Sequence, residues 1–562
     1  SNDPQAIRDL FSKVMSRFEE LERTRPDKLS DVPYLKENYA FTGELFLGHL
    51  RYGTYGGNSI ENCHPFLREN NWMTRNLVVA GNFNLTNVDE LFQLLIDLGQ
   101  HPKQKADTVT VMEKIGHFLD EENQQLFDRF KKEGFDNTKI TELISTHLDV
   151  QRLLSRATKD FDGGFAIAGL IGHGDAFVLR DPSGIRPAYW FENDEIAVVA
   201  SERPPIQAAF NAPLEDIHEL EPGHAYIIKK DATTSVKKII EPREKKSCSF
   251  ERIYFSRGND EAIYRERQAL GKNVVPQILK SVNYDLENTV FSFIPNTAEI
   301  AFYGMMKALE DHLNDVKVAD IKALGNNASI ESIDAIIRKR ARLEKIAIKD
   351  VKMRTFITQD SARDEMVAHV YDTTHGAVKR DIDTLVVIDD SIVRGTTLKK
   401  SIIKMLDRLG PKRIIIVSSA PQIRYPDCYG IDMAKLGDFI AFQAAIALHK
   451  EAGTYETITE GVLEKCRQME ALPKNEQHNC VQEIFSAFSA NEISAKVAQL
   501  VTPEKTEAQV EVIFQTIEGL HNACPEHTGD WYFTGNYPTP GGHRVVNRAF
   551  INYMEGRNER AY

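Results

Sequence analysis

Residues 385–397 read Leu-Val-Val-Ile-Asp-Asp-Ser-Ile-Val-Arg-Gly-Thr-Thr, and this stretch restricts the fold and chemistry of the chain more than any other. Four apolar residues in a row end in two carboxylates. Helical spacing follows at Leu398, Ile402, Met405, Leu406 and Leu409, and Gly410-Pro411 stops it. A second apolar run, 414–417, comes next. Two wholly apolar strands joined by a helix form a βαβ unit of a parallel sheet. Open sheets of that kind bind ligands at the carboxyl ends of their strands, which is where Asp389 and Asp390 fall. Gly395 lets the backbone approach an anion closely. The hydroxyls of Thr396 and Thr397, the free amides of the helix start and the helix dipole all favour phosphate there. Carboxylates instead bind hydroxyls or magnesium. A ligand with a phosphate at one end and a diol and metal at the other is a ribose 5-phosphate.

The rest of the chain organises around this unit. At 562 residues, two or three domains are expected. Residues 6–25 have helical apolar spacing. From 42 to 230 short apolar segments alternate with glycine turns (45–50, 76–81, 165–172, 176–180, 195–201, 225–229), with helical patterns at 88–98 and 109–118. Strands grouped with a few helices predict a layered α+β domain over 1–245. The charged stretch 241–247 reads as a linker. An α/β domain with a parallel sheet is expected over 246–472, with a strand at 290–294 and a helix running to 309. A helical and loop-rich extension is expected over 473–562. The net charge of −13 argues against nucleic acid or anionic membranes as partners. No apolar run approaches the roughly 20 residues of a membrane span. Six cysteines in so long a chain point to a reducing, cytoplasmic setting.

The segment 385–397 closely resembles the phosphoribosyl pyrophosphate (PRPP) signature of type I phosphoribosyltransferases. With Cys248-Ser-Phe-Glu-Arg-Ile-Tyr-Phe-Ser-Arg257, Arg354-Thr-Phe-Ile357, Ala420-Pro-Gln-Ile-Arg424 and Tyr429-Gly-Ile-Asp432, the resemblance narrows to the amidophosphoribosyltransferases. It implies that Asp389 and Asp390 contact the ribose hydroxyls and magnesium, that Arg394, Gly395, Thr396 and Thr397 hold the 5-phosphate, and that Ser391 also binds PRPP. It also implies a pyrophosphate loop at Asn296 and Thr297, where the family usually has an acidic residue in place of Asn296. Arg354 transfers from the family's closing loop.

Three segments resemble N-terminal-nucleophile glutaminase domains: Gly48-His-Leu-Arg-Tyr-Gly-Thr54, Gly81-Asn-Phe-Asn-Leu-Thr-Asn87 and Arg180-Asp-Pro-Ser-Gly-Ile-Arg-Pro187. The likeness implies that Arg51 and Asp107 bind glutamine. Asn82 and the amide of Phe83 form the oxyanion hole, with Phe83 standing where the family has glycine. The expected fold is therefore an α+β N-terminal-nucleophile glutaminase domain followed by an α/β type I phosphoribosyltransferase domain. The family's nucleophile is an N-terminal cysteine, whereas this sequence begins Ser1-Asn2-Asp3-Pro4. The nucleophile segment is expected to lie outside the sequence, leaving free ammonia as the nitrogen source. Cys63 reads as a packed or surface thiol.

Some members of the family carry an iron–sulfur cluster. Cys248, Cys428, His521 and Cys524 stand at or near its ligand positions. The favoured reading is a vestigial or absent cluster, with an iron–sulfur or zinc site as the alternative. The resemblance further implies PRPP, glutamine or ammonia as substrates, Mg2+ as cofactor, feedback by purine nucleotides, and a homo-oligomer, a tetramer or a dimer. The implied reaction is attack of ammonia on C1 of PRPP to give 5-phosphoribosylamine, the committed step of purine synthesis. The alternatives are a base-salvage phosphoribosyltransferase and a non-catalytic PRPP sensor.

Overall fold

The structure, a computed structural model, describes residues 6–50, 63–102, 106–349, 371–431 and 433–561. Arg51, Arg354 and Asp432 lie outside the described residues. The first half holds β1 (Phe66–Arg68), β2 (Leu77–Leu85), β3 (Gly163–Ile171), β4 (Ala176–Arg180), β5 (Tyr189–Glu192), β6 (Ala197–Ala200), β7 (His218–Glu219), β8 (His224–Ile228) and β9 (Thr234–Lys238). Six of them form one antiparallel sheet in the order β1-β2-β3-β4-β8-β9, and β6-β5-β7 form a second. The alternation of β3 sets the layering. Phe165 and Ile167 pack with Val111, Ile115 and Leu119 of the helix Asp107–Lys132, whereas Ala166 packs with Trp190 of the smaller sheet. The expected strand at 45–50 does not form, and the helix expected at 109–118 extends over Asp107–Lys132.

The second half holds β10 (Thr289–Phe293), β11 (Arg342–Leu343), β12 (Ala347–Lys349), β13 (Tyr371–Thr373), β14 (Thr384–Asp389), β15 (Arg413–Ser418) and β16 (Gln509–Phe514). Five strands make a parallel sheet in the order β11-β10-β14-β15-β16; β12 and β13 pair apart from it. Both faces are covered, which explains the unbroken apolar strands. Leu385 and Val387 pack with Ile402 and Leu406 on one face, and Val386 and Ile388 with Met305 and Leu309 on the other. In chain order the strands run 2-1-3-4-5 across the sheet. The connections leave in opposite directions from β10 and β14, so the ligand crevice opens at the carboxyl ends of those two neighbours.

Within the extension expected from residue 473, β16 pairs with β15 from Arg413↔Gln509 to Ser418↔Phe514. The C-terminal segment therefore completes the sheet. It also reaches back to the first half. The Gly541 N–H donates to Asp162 Oδ2 at 3.1 Å, and Arg544 pairs with Glu90 at 2.5 Å.

Two glycines let the helices Glu261–Asn273 and Glu299–Leu324 touch backbone to backbone. A Cβ on Gly271 would stand 1.8 Å from the Ala301 carbonyl oxygen, and one on Gly304 1.9 Å from that of Gln268. Since neither oxygen is on a flexible side chain, Gly271→Ala should destabilise the protein by about 1–3 kcal/mol. Urea unfolding tests this, and an unchanged midpoint would contradict the packing.

Candidate active sites

The first site sits in the crevice that the strand order predicts. β14 ends at Asp389, and its neighbour β10 leads into Pro295, Asn296 and Thr297. The Ile294 N–H donates to the Ile388 carbonyl at 2.9 Å, which holds the two loops side by side. Asp389 Oδ1 accepts from the Asp390 N–H at 2.9 Å, and Asp390 Oδ1 accepts from Ser391 Oγ at 3.0 Å. The Ser419 hydroxyl donates to the Asp390 carbonyl at 3.1 Å, which ties β15 to the same turn. Thr297 reaches across from the neighbouring loop to hydrogen-bond the Asp390 side chain. The expected diol and pyrophosphate residues are thus brought together, and Asn296 stands exposed beside them.

Gly395 has φ +69°, the left-handed region that glycine tolerates. Its missing side chain is also a packing requirement, since a Cβ there would stand 2.8 Å from Val501 Cγ1. The helix begins at Thr396, so the amides of Arg394 to Thr397 gather at its N-terminus. The Arg394 guanidinium lies 3.2 Å from Asp438.

Burial pushes the Asp390 carboxyl up to about 6. The Ser391 hydroxyl and the charge of Arg267 oppose the shift. Arg267 is itself buried, with Nε donating to the Arg252 carbonyl at 2.8 Å and Nη2 to that of Ser256 at 2.7 Å. Sequence reading missed Arg267, which carries no motif and lies on a distant helix. A carboxyl whose folded pKa is raised contributes stability that is full below its unfolded value, roughly 4, and is lost as pH rises through about 6. The unliganded protein should therefore lose stability from pH 4 to 6 by an amount that Asp390→Asn removes. Urea unfolding of both proteins across this range tests this, and superimposable profiles would refute it.

Two adjacent carboxylates and nearby hydroxyls are hard oxygen donors of the kind magnesium accepts, and such sites normally draw further ligands from water and substrate phosphates. Asp389 and Asp390 fit that role. The alternative cluster site is a different case. Cys248 Sγ hydrogen-bonds Tyr532 Oη at 3.2 Å, and burial pushes its thiol up to about 12. His521 Nε2 pairs with Asp530 at 3.0 Å. Cys428 and Cys524 are buried free thiols. Among the described residues, no three His, Cys, Asp or Glu side chains are grouped to hold a metal ion. Cys248, Cys428, His521 and Cys524 thus stand as separate side chains in this structure.

The second site is a cleft in the first half. Asn82, Asp107, Thr108, His64, Arg186 and Gly430 all line it. Asn82 is exposed in the cleft, while the ring of Phe83 is buried in the core. The Phe83 amide can be placed from its neighbours. The Gly81 N–H donates to His64 Nδ1 at 3.3 Å, away from β3, and amides two residues apart on a strand point the same way. Opposite Phe83, the Phe165 N–H turns toward Asp181, so this pair does not exchange ladder bonds. The Phe83 amide therefore points out from the strand edge. β1 does not cover that edge, because its pairing stops at Val79. The phenylalanine replacing the family glycine thus directs its bulk into the core.

Asp107 opens its helix and accepts from the Thr108 N–H at 2.7 Å. His64 Nε2 lies 3.2 Å from Thr108 Oγ1, and its ring stacks on His49 at 4.5 Å. His64 thus ties the strand carrying Asn82 to the Asp107 turn. Its neighbourhood, Asn-Cys-His-Pro-Phe, drew attention only to Cys63, which is exposed.

The two sites are joined by contacts to main-chain oxygens. Asn84, two residues beyond Asn82, donates from Nδ2 to the Cys428 carbonyl at 2.7 Å. Arg186 donates from Nε to the Tyr429 carbonyl at 2.7 Å, again from Nη2, and from Nη1 to Glu251 at 3.0 Å. Gly430 leaves room for this, since a Cβ would stand 2.9 Å from Arg186 Nη2.

No protein-family profile matches the chain. Curated relatives do. It is 26% identical over 466 residues to the amidophosphoribosyltransferase of Pseudomonas aeruginosa, covering 78% of this chain and 81% of the relative. It is 27% identical over 423 residues to that of Escherichia coli, covering 74% and 73%. Among solved structures, a glutamine PRPP amidotransferase from B. subtilis complexed with ADP and GMP matches with a TM-score of 0.54 and 22% identity, covering 87% of this chain and 82% of that one. The fold of this chain, antiparallel sheets followed by a five-stranded parallel sheet, fits a glutaminase domain followed by a type I phosphoribosyltransferase domain. Along most of its length in sequence, and in the fold of both halves, the chain is similar to the amidophosphoribosyltransferases.

Proposed function

We propose that the chain forms 5-phosphoribosylamine and pyrophosphate from PRPP and ammonia, the first committed step of purine synthesis, with glutamine as the ammonia source where the nucleophile is present. The observation that carries this is the pairing of the Asp389–Asp390 turn with the glycine-threonine loop at one switch point of a parallel sheet. The nitrogen attacks C1 as the C1–oxygen bond to pyrophosphate breaks. Asp389 and Asp390 hold the ribose diol, and Arg394 to Thr397 anchor the 5-phosphate. Fixing both ends of the sugar presents C1 to the incoming nitrogen in one orientation, the effect that makes a bimolecular step effectively unimolecular. Bound magnesium would neutralise charge on the departing pyrophosphate.

In the other half, Asn82 and the Phe83 amide stabilise the oxyanion of glutamine cleavage, and Asp107 and Arg51 hold the substrate's amino and carboxylate ends. Relatives matching along both halves carry the amidophosphoribosyltransferase name, which favours this reading over salvage or sensing. Feedback by purine nucleotides and assembly into a homo-oligomer belong to the same proposal. No described helix is long and apolar enough to cross a membrane.

The test is release of pyrophosphate from PRPP and magnesium with ammonium chloride or glutamine supplied separately. Turnover with ammonia supports the reading. PRPP binding without turnover, or turnover with a purine base instead, would refute it.

A further inference from the structure

We propose that Asp438 is a built-in counterion for Arg394, which the ligand's 5-phosphate must displace, so that the phosphate loop admits phosphate dianions and resists weaker anions. The inference rests on reading 389–397 as a ribose 5-phosphate site.

Arg394 is the cation of a loop that otherwise offers carboxylates, hydroxyls and amides. Its Nη2 lies 3.2 Å from Asp438 Oδ2, and the two side chains are 47% and 40% exposed. That exposure matters, because solvent-exposed ion pairs contribute little and are broken easily. The carboxylate is nevertheless held in place by its chain neighbours. Leu436 and Phe439, on either side of it, are buried. The Ile440 N–H donates to the Val393 carbonyl at 2.9 Å, next to Arg394 in the chain. The Ile440 side chain also closes the space beside Gly395, where a Cβ would meet its Cγ1 at 3.2 Å. The segment carrying Asp438 is thus fastened to the phosphate loop on both sides of Arg394. Lys435, the nearest cation along that segment, donates to Asn558 at 2.7 Å instead.

A phosphate dianion brings a second charge and three acceptor oxygens, and it can take the guanidinium bidentately while the helix amides bind its other oxygens. It outcompetes one carboxylate. A carboxylate ligand or a singly charged anion gains little by replacing a partner of its own kind. Once displaced, Asp438 stays in solvent, where its charge is hydrated.

The experiment is calorimetric titration of ribose 5-phosphate and, separately, inorganic phosphate into wild type, Asp438→Asn and Asp438→Glu, at low and high salt. KM for PRPP and kcat are measured alongside in ammonia-dependent turnover. Asp438→Asn should tighten both ligands about two- to fivefold at low salt, the range an exposed ion pair allows. The gain should vanish near 1 M salt, where the Debye length is about 3 Å. KM should fall with kcat unchanged, and Asp438→Glu should behave as wild type. A purely structural role for Asp438 would not produce a salt-dependent gain. Unchanged or weaker binding by Asp438→Asn, with wild type binding normally, overturns this inference alone. Failure of wild type to bind ribose 5-phosphate overturns it together with the site reading.

Discussion

Asp390→Asn is expected to lower kcat/KM for ammonia-dependent turnover of PRPP about 10²–10³-fold, the scale seen when one well-placed electrostatic group is removed from a reacting centre. The replacement keeps the shape of the side chain, and its amide oxygen can still accept from Ser391 Oγ, so the turn should stand. What it removes is the charge that the ribose diol and magnesium require. The same change relieves the cost of a desolvated carboxyl pushed up to about 6. The inactive variant should therefore be slightly more stable than wild type above that pH, as expected where a site trades stability for function. Pyrophosphate release and urea unfolding on the same two proteins measure both effects. Activity within threefold of wild type would remove Asp390 from the site.

Arg186→Ala is expected to cost about 3–5 kcal/mol, because it leaves Glu251 without its partner and the Tyr429 carbonyl without its donors. The guanidinium is almost wholly buried, with its side chain 2% exposed, and its ion pair with Glu251 is 3.0 Å long. The neighbouring acids Glu251 and Asp427 keep it charged despite that burial. A second variant separates lost packing from lost charge. Arg186→Met restores most of the volume but no donor, so it should recover only a minor part of the loss. Urea unfolding followed by tryptophan fluorescence reads the change. A loss under 1 kcal/mol for the alanine variant would mean that the contact between the halves is held elsewhere.

Legibility in the sequence followed how local each feature is. The turn at 389–397 could be read because strand, carboxylates, glycine and helix start are contiguous in the sequence. Strands 414–417 and 290–294 were legible for the same reason, since burial on both faces leaves no polar interruptions. β16 was missed because its sequence, Gln-Val-Glu-Val-Ile-Phe, alternates and lies at the edge of the sheet, where nothing local marks it as parallel. The segment 45–50 has strand-like residues but finds no strand partner among the described residues. Asp438, Arg267 and His64 act on the sites from positions brought close only by tertiary packing. For Cys248, Cys428, His521 and Cys524, likeness of position along a chain does not fix the direction of a side chain. Tertiary packing gives half-exposed His521 and buried Cys248 partners elsewhere, Asp530 and Tyr532.

Asn84 and Arg186 both read main-chain oxygens of residues 428 and 429. The glutaminase half therefore recognises its partner by the path of a backbone, which every residue type supplies. Drift in the side chain at position 428 leaves those acceptors intact, whereas drift at 84 or 186 removes a donor outright. Evolutionary freedom at this seam is one-sided, so a hybrid joining this glutaminase half to a distant relative's transferase half needs the same turn, with room at position 430, more than it needs the same residues.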